Sequence, residues 1–319
     1  MTDPLAQMPD HFLSSTDLTG EQVTALLDLA DELKAERAQR VAAGERIERG
    51  TLAGKTVAMI FEKPSTRTRV SFQVAVSELG GHPLSLSSAE LQLGRGETIA
   101  DTGAVLSRYV HGIVVRTFGQ DRIDDLAAAA TVPVVNALTD LEHPCQALAD
   151  LQTFREVHGG FEGRSLAYVG DGNNVTHSLL LAGALVGLSI RVGHPEGYGP
   201  DAAIVEQAQQ IAARTGASIT VTTDPVAAVD GADAVYADVW TSMGQENQAE
   251  ERLERFVPYR VTSELLSHTA DGAIFLHCLP AHRGEEVTAE VIDGPTSHVF
   301  DQAENRLHAQ KALLATLLT

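Results

Sequence analysis

The stretch Val57-Ala58-Met59-Ile60-Phe61-Glu62-Lys63-Pro64-Ser65-Thr66-Arg67-Thr68-Arg69 decides how the rest of the chain is read. Its five leading apolar residues predict a short buried strand at 57–61. A charged break follows, then Ser65 as a helix N-cap and a helical run at 66–79 that Gly80-Gly81 stops. Strand, loop and helix in that order are the repeating unit of a parallel sheet covered by helices. Thr66, Arg67 and Thr68 fall in the first helical turn, where backbone N–H groups lack intrahelical partners and the dipole is positive. An arginine opposes that dipole, which makes a capped helix with idle arginines the less comfortable account. Two hydroxyls, a guanidinium and the N–H groups together suit a phosphate. It is not a P-loop, because the Gly-x-x-x-x-Gly-Lys pattern is missing.

Outward from this stretch the alternation continues. Thr19 with Gln22 forms a capping box that opens an amphipathic helix running to about residue 42. Strands are expected at 84–86, 113–116 and 132–135 with helices between them, and a long helix at 144–157. Glycines 159, 160 and 163 then punctuate the chain. A second series starts at Ser165, with strands at 166–169, 189–192, 218–221, 234–239 and 273–276. The last helix, at 303–318, has an apolar face of Leu307, Leu314 and Leu318. The pattern predicts an α/β protein of two domains, residues 1–150 and 151–302, each a parallel sheet flanked by helices.

The composition narrows the partners. Of 319 residues, 44% are hydrophobic, enough for a real core, and 23 basic against 43 acidic residues leave a net charge of −20. Such acidity disfavours nucleic acid and anionic membranes, so positive charge for an anionic substrate must be local. Two cysteines, Cys145 and Cys278, make no disulfide framework and point to a reducing compartment. Residues 1–13 have no signal-peptide pattern, and the longest nearly apolar stretch, 179–190, is too short to span a membrane. A buried helix running into a strand explains that stretch better. The expected location is cytoplasmic.

In open parallel sheets ligands gather beyond the carboxyl ends of the strands. The unusual polar clusters of this chain follow predicted strands repeatedly. Arg116 ends one strand, and His143-Pro144-Cys145-Gln146 opens a helix shortly after another, where an imidazole and an amide suit a polarised carbonyl and an amide ligand. Gly170-Asp171-Gly172-Asn173-Asn174 begins like a dinucleotide fingerprint, but Val175 stands at the third glycine's place and no acidic residue ends the next strand. Asn174 instead offers a neutral amide to a carboxylate. Asp238, near a strand end before Trp240-Thr241-Ser242-Met243-Gly244, suits a substrate ammonium. His277-Cys278-Leu279-Pro280 follows a further strand, and the Cys278 sulfur is either a small buried hydrophobe or a proton acceptor.

The chain resembles the ornithine carbamoyltransferases of the aspartate/ornithine carbamoyltransferase superfamily. The resemblance rests on Ser65-Thr66-Arg67-Thr68-Arg69, His143-Pro144-Cys145-Gln146, Asp238 with Ser242-Met243-Gly244, His277-Cys278-Leu279-Pro280 and Ala303-Glu304-Asn305-Arg306-Leu307-His308. It implies a first domain for carbamoyl phosphate, a second for L-ornithine, and a last helix, 303–319, returning to the first domain. By the match Ser65, Thr66, Arg67, Thr68, Arg116, His143, Gln146 and Arg306 hold carbamoyl phosphate, with Cys278 and the backbone of Leu279 beside the reacting amine. Gln92 matches a residue given by a neighbouring subunit, which implies a homotrimer. Asn174, Asp238, Ser242 and Met243 match the ornithine contacts. Arg116, His143, Asp238 and Cys278 take the catalytic roles, and the products are citrulline and phosphate, in arginine metabolism. No metal or organic cofactor is implied, and no metal-ligand spacing stands out.

Rival readings remain distinguishable. An aspartate-using sibling needs a basic residue for the extra carboxylate, whereas Asp238 suits a cation. A putrescine-using sibling needs no α-carboxylate contact. A non-catalytic relative is expected to have lost Arg67, His143 or Cys278, and all three are kept. A nicotinamide oxidoreductase is opposed by the broken glycine pattern.

Overall fold

A computed structural model describes residues 3–87, 96–241 and 249–319, and the chain divides into two compact units, Met1–Gln152 with Glu304–Thr319, and Thr153–Ala303. The first unit holds α1 (Gly20–Ala43), β1 (Thr56–Phe61), α2 (Thr66–Glu78), β2 (His82–Ser87), α3 (Ile99–Leu106), β3 (Gly112–Arg116), α4 (Gln120–Ala129) and β4 (Val134–Leu138). Helix α5 (Pro144–His158) carries the chain into the second unit. The four strands are parallel in the order β2-β1-β3-β4. β1, β3 and β4 are buried along nearly their whole length, as a parallel sheet covered on both faces requires. Ala58, Ile60, Ile113, Val115, Ile123, Leu126 and Val134 form one core of this unit. The Thr19 and Gln22 capping box forms at 3.2 and 2.8 Å.

The sheet order reverses between β1 and β3, so their carboxyl ends border a crevice. Pairing of Phe61 with Arg116 sets that arginine beside the chain leaving β1. The β3–β4 register slips between Val115 and Arg116, an irregularity at the last residue of β3.

The second unit holds β5 (Ser165–Val169), α6 (Asn174–Leu185), β6 (Ser189–Gly193), α7 (Ala202–Thr215), β7 (Ile219–Thr222), α8 (Pro225–Val229), β8 (Ala234–Ala237), α9 (Ala249–Phe256), α10 (Ser263–Leu266), β9 (Ile274–His277) and α11 (Ala289–Ile292). Its five parallel strands run β7-β6-β5-β8-β9, with the reversal between β5 and β8. Ala167, Val169, Val235, Phe275, Val287, Val291 and Val299 are buried together beneath it. Helix α6 is buried along the run Val175–Ala184, which explains why 179–190 reads as uniformly apolar: a covered helix turns at Gly187, φ +80°, into a covered strand.

The last helix, α12 (Val299–Leu317), starts four residues before the predicted 303, and the chain returns to the first unit within it. Its burial extends well past the predicted leucine face. Asn305, Arg306, His308, Gln310 and Lys311 are all buried, because first-unit helices supply partners. Lys311 meets Glu78 of α2 at 2.8 Å, and Lys34 of α1 meets Asn305 at 2.8 Å. Among the described residues no helix is long and apolar enough to cross a membrane.

Candidate functional site

In the first unit hydrogen bonds join Thr68, Gln146 and Arg306, and Arg116 and Arg306 lie close enough to His143 for their charges to act on it. Ser65 caps α2, its hydroxyl accepting from the Thr68 N–H at 3.3 Å. Thr66 and Arg67 are exposed on the first turn, while Thr68 is buried. Arg116, His143, Gln146 and Arg306 are buried as well. Arg306, from α12, donates to Gln146 Oε1 at 2.5 Å and to Thr68 Oγ1 at 3.3 Å. The amide nitrogen of Gln146 donates to Asp150 at 2.7 Å. Sequence reasoning gave Gln146 the single task of gripping a ligand amide; the fold gives it a second, bracing Arg306.

His143 precedes α5, and its carbonyl accepts from the Gln146 N–H at 2.9 Å. Burial holds its imidazole well below the ordinary histidine range, and the charges of Arg306 and Arg116 push it further down. The ring is therefore neutral at physiological pH, a hydrogen-bonding group between two cations. Burying guanidinium groups near one another is costly unless an anion offsets their charge. Such an arrangement can receive a small anion and offer an uncharged imidazole as a hydrogen-bond partner. Cys145, next in sequence, is excluded from nucleophilic work: burial pushes its thiol up to about 12, and Sγ donates to the Asn136 carbonyl. Glu62, in the quoted stretch, accepts from Thr117 Oγ1 and is paired with Arg122 at 2.6 Å, so it shapes the loop after β1.

In the second unit Asp238 stands just past β8, not inside a strand reaching 239 as predicted. It is buried and accepts from Asn173 Nδ2 at 2.7 Å, from the Val239 N–H at 2.8 Å and from Cys278 Sγ at 3.0 Å. The thiol and the carboxylate thus form one hydrogen-bonded pair. Leu279, next to Cys278, has φ +56°, a left-handed conformation strained for leucine, and its N–H donates to His277 Nδ1 at 2.8 Å. Asn174 is the first residue of α6. The neighbouring Asn173, which sequence reasoning passed over, is the N-cap: its oxygen accepts from Val175 and Thr176 while its nitrogen reaches Asp238. Gln92, Ser242 and Met243 lie outside the described residues.

One further group was missed. Arg252 of α9 is buried, donates to the Trp240 carbonyl at 2.6 Å, pairs with Asp171, and lies over the rings of Tyr198 and Phe256. Burial pushes the Asp171 carboxyl up to about 6 even though Arg252 pulls it down. The buried contact with Arg252 is charge-assisted. Gly172 explains the abortive dinucleotide pattern. A Cβ there would lie 2.1 Å from the Pro200 nitrogen, so protein backbone fills the space that a pyrophosphate needs.

Asp238, His277 and Cys278 place one carboxylate, one imidazole and one thiol within 4.8 Å of one another, and His282, Glu285 and Glu286 place one imidazole and two carboxylates within the same distance. At the first of these, His277 Nδ1 is occupied by the Leu279 N–H and Nε2 faces Glu286 at 3.3 Å. The Nδ1 position is thus committed to the Leu279 backbone, and a metal there would have to displace that contact.

Comparison with known proteins agrees in both halves. Residues 10–156 match the carbamoyl-P binding domain of aspartate/ornithine carbamoyltransferase, and residues 162–317 match its Asp/Orn binding domain. An ornithine carbamoyltransferase from Parafrankia sp. is 60% identical over 97% of this chain and 96% of its own length. One from Pyrococcus furiosus, named as anabolic, is 53% identical over 95% of this chain and 94% of its own. A solved structure of the ornithine carbamoyltransferase from Pyrococcus furiosus superposes with a TM-score of 0.91, covering 97% of this chain and 96% of that one at 52% identity.

Proposed function

The chain belongs to the aspartate/ornithine carbamoyltransferase family, and we propose that it transfers the carbamoyl group of carbamoyl phosphate to the δ-amine of L-ornithine, giving L-citrulline and phosphate. The observation that carries this reading is the pair of buried guanidiniums, Arg116 and Arg306, around the neutral His143, within the half that matches the carbamoyl-P model. Ser65, Thr66, Arg67, Thr68, Arg116 and Arg306 take the phosphate. His143 and Arg116 polarise the carbonyl and stabilise the tetrahedral oxyanion. Gln146 serves the carbamoyl amide from the same position in which it braces Arg306.

Ornithine falls to the second unit. Asp238 attracts the substrate's ammonium, and Asn174 takes the α-carboxylate; Ser242 and Met243 complete these contacts by family resemblance. The δ-nitrogen forms a bond to the carbonyl carbon, the carbon–oxygen bond to phosphorus's oxygen breaks, and phosphate departs with that electron pair. The proton lost by the amine passes to the departing phosphate, with Asp238 and Cys278 bordering the amine. A carboxylate at 238 supports a cationic acceptor over aspartate, and the names of the relatives support ornithine.

We place the reaction in arginine biosynthesis, which the anabolic Pyrococcus furiosus relative supports. Two free cysteines support a cytoplasmic location. A homotrimer with Gln92 given to a neighbour follows from the family resemblance. The test is phosphate release and ureido product with ornithine, putrescine, aspartate and N-acetylornithine as separate acceptors. Turnover with ornithine alone supports the reading. Turnover with another amine overturns the role of Asp238, and none with any overturns the activity.

A further inference from the structure

Assigning Arg306 to phosphate leaves the residue one helical turn further along α12, Gln310, without a role. Gln310 is buried, and only one orientation of its amide matches donors to acceptors, so the surrounding network fixes the choice. In that orientation Oε1 accepts from both Nε and Nη2 of Arg306 at 2.9 Å. The amide nitrogen donates to Ser71 Oγ at 2.7 Å and to the Arg306 carbonyl at 3.1 Å. Ser71 Oγ passes the chain on by donating to the Thr68 carbonyl at 3.2 Å. Thr68 itself receives Arg306 Nη2 on its hydroxyl at 3.3 Å. The result is a closed ring of bonds, from α12 through Ser71 to the first turn of α2 and back.

We propose that Gln310 is a positioning residue for carbamoyl transfer. It fixes the plane of the Arg306 guanidinium and locks it to the phosphate-binding turn of α2. This rests on the carbamoyl phosphate reading given above. The chemistry of the acceptor matters as much as its place. An amide oxygen takes two guanidinium N–H groups while carrying no net charge, so Arg306 is oriented with its positive charge left for the anion. A carboxylate at 310 would take the same two N–H groups in a fork-to-fork pair and cancel that charge. The adjacent Lys311 shows the contrast, since it is paired with the Glu78 carboxylate at 2.8 Å and is thereby spent on packing.

The test compares Gln310→Met, which keeps length and loses the bonds, with Gln310→Glu, which keeps shape and adds charge. The expected result for Gln310→Met is a rise of about tenfold in the KM for carbamoyl phosphate, as lost bonds to a charged group imply. Gln310→Glu should raise it further, to about a hundredfold, because the cation is neutralised as well. The ornithine KM should stay within about twofold in both, since only the phosphate contact is touched. Calorimetric titration with inorganic phosphate should weaken in the same order. Ser71→Ala, a milder cut in the same ring, should raise the carbamoyl phosphate KM by about threefold, and it carries the test if neither 310 variant folds. Variants that melt earlier yet keep both carbamoyl phosphate KM and phosphate affinity would reduce Gln310 to packing, as would an equal rise in both KM values. If the wild-type protein makes no citrulline, the parent reading fails; if it does and the variants are unmoved, only the role of Gln310 fails.

Discussion

Asp238→Asn removes one charge while leaving the side chain's size unchanged, and its consequences can be worked from the contacts. Oδ2 of Asp238 accepts from Asn173 Nδ2 at 2.7 Å, and Asn173 cannot turn to present an acceptor because its own oxygen is held by the N–H groups of Val175 and Thr176. Oδ1 accepts from the Val239 N–H and the Cys278 thiol. An asparagine at 238 can keep the Oδ1 contacts but must then set an NH2 against the Asn173 NH2. Two buried donors facing each other cost about 1–3 kcal/mol. For a unit of this size that corresponds to a melting temperature lower by about 2–12 °C. The substrate ammonium loses a charge-assisted contact of about 1.5–3 kcal/mol, so kcat/KM for ornithine should fall by about 10- to 150-fold. Carbamoyl phosphate, assigned to the first unit's arginines, should bind the variant within about twofold of its normal affinity. Steady-state kinetics with ornithine and calorimetry with carbamoyl phosphate read the two effects separately. Equal loss of both ligands, or an ornithine kcat/KM within about twofold of wild type, would refute the reasoning.

Arg67→Ala should weaken carbamoyl phosphate binding by about 10- to 100-fold through loss of a charge-assisted phosphate contact, with stability changed by less than about 0.5 kcal/mol because the side chain is exposed; calorimetry and a melting curve check both. His143 is held below its unfolded value of 6.5, so the folded state binds fewer protons than the unfolded one as pH falls below 6.5, and stability should drop there by up to about 1.4 kcal/mol per pH unit. His143→Gln should flatten that segment of the urea-stability profile, and an unchanged slope would contradict the burial of a neutral imidazole. Inorganic phosphate at a hundred times its dissociation constant should stabilise the protein by about 2.7 kcal/mol, and Arg306→Gln should abolish most of the gain. Iodoacetamide should spare Cys145, buried and pushed up to about 12, until denaturant is added; peptide mass spectrometry follows its alkylation with and without denaturant.

The β1–α2 unit was legible because an apolar run, an N-cap and a glycine stop are all local signals, and local signals also mark where the remaining strands fall along the chain. Boundaries moved where a local rule was overlooked: β4 begins at Val134 and not at 132 because Pro133 has no N–H to give the ladder. The part of Asn173 was beyond sequence, since a helix start placed one residue off turns a side chain by about 100°. Asn173 proved to be the N-cap that reaches Asp238. The burial of Lys311 and Gln310 was invisible for another reason. Their partners Glu78 and Ser71 lie 233 and 239 positions away, and a polar residue on a helix reads as solvated until its partner is known. Arg252 is the same case, its partner Asp171 lying 81 positions back.

The central claim is that a carbamoyl carbon moves from phosphate to the δ-nitrogen of ornithine. Carbonyl-13C carbamoyl phosphate incubated with the protein and δ-15N ornithine tests it directly by NMR. The account predicts a ureido carbon signal split by coupling to the δ-15N, growing in step with inorganic phosphate. Labelled carbon appearing only as bicarbonate or cyanate, at the rate seen without protein, would contradict it.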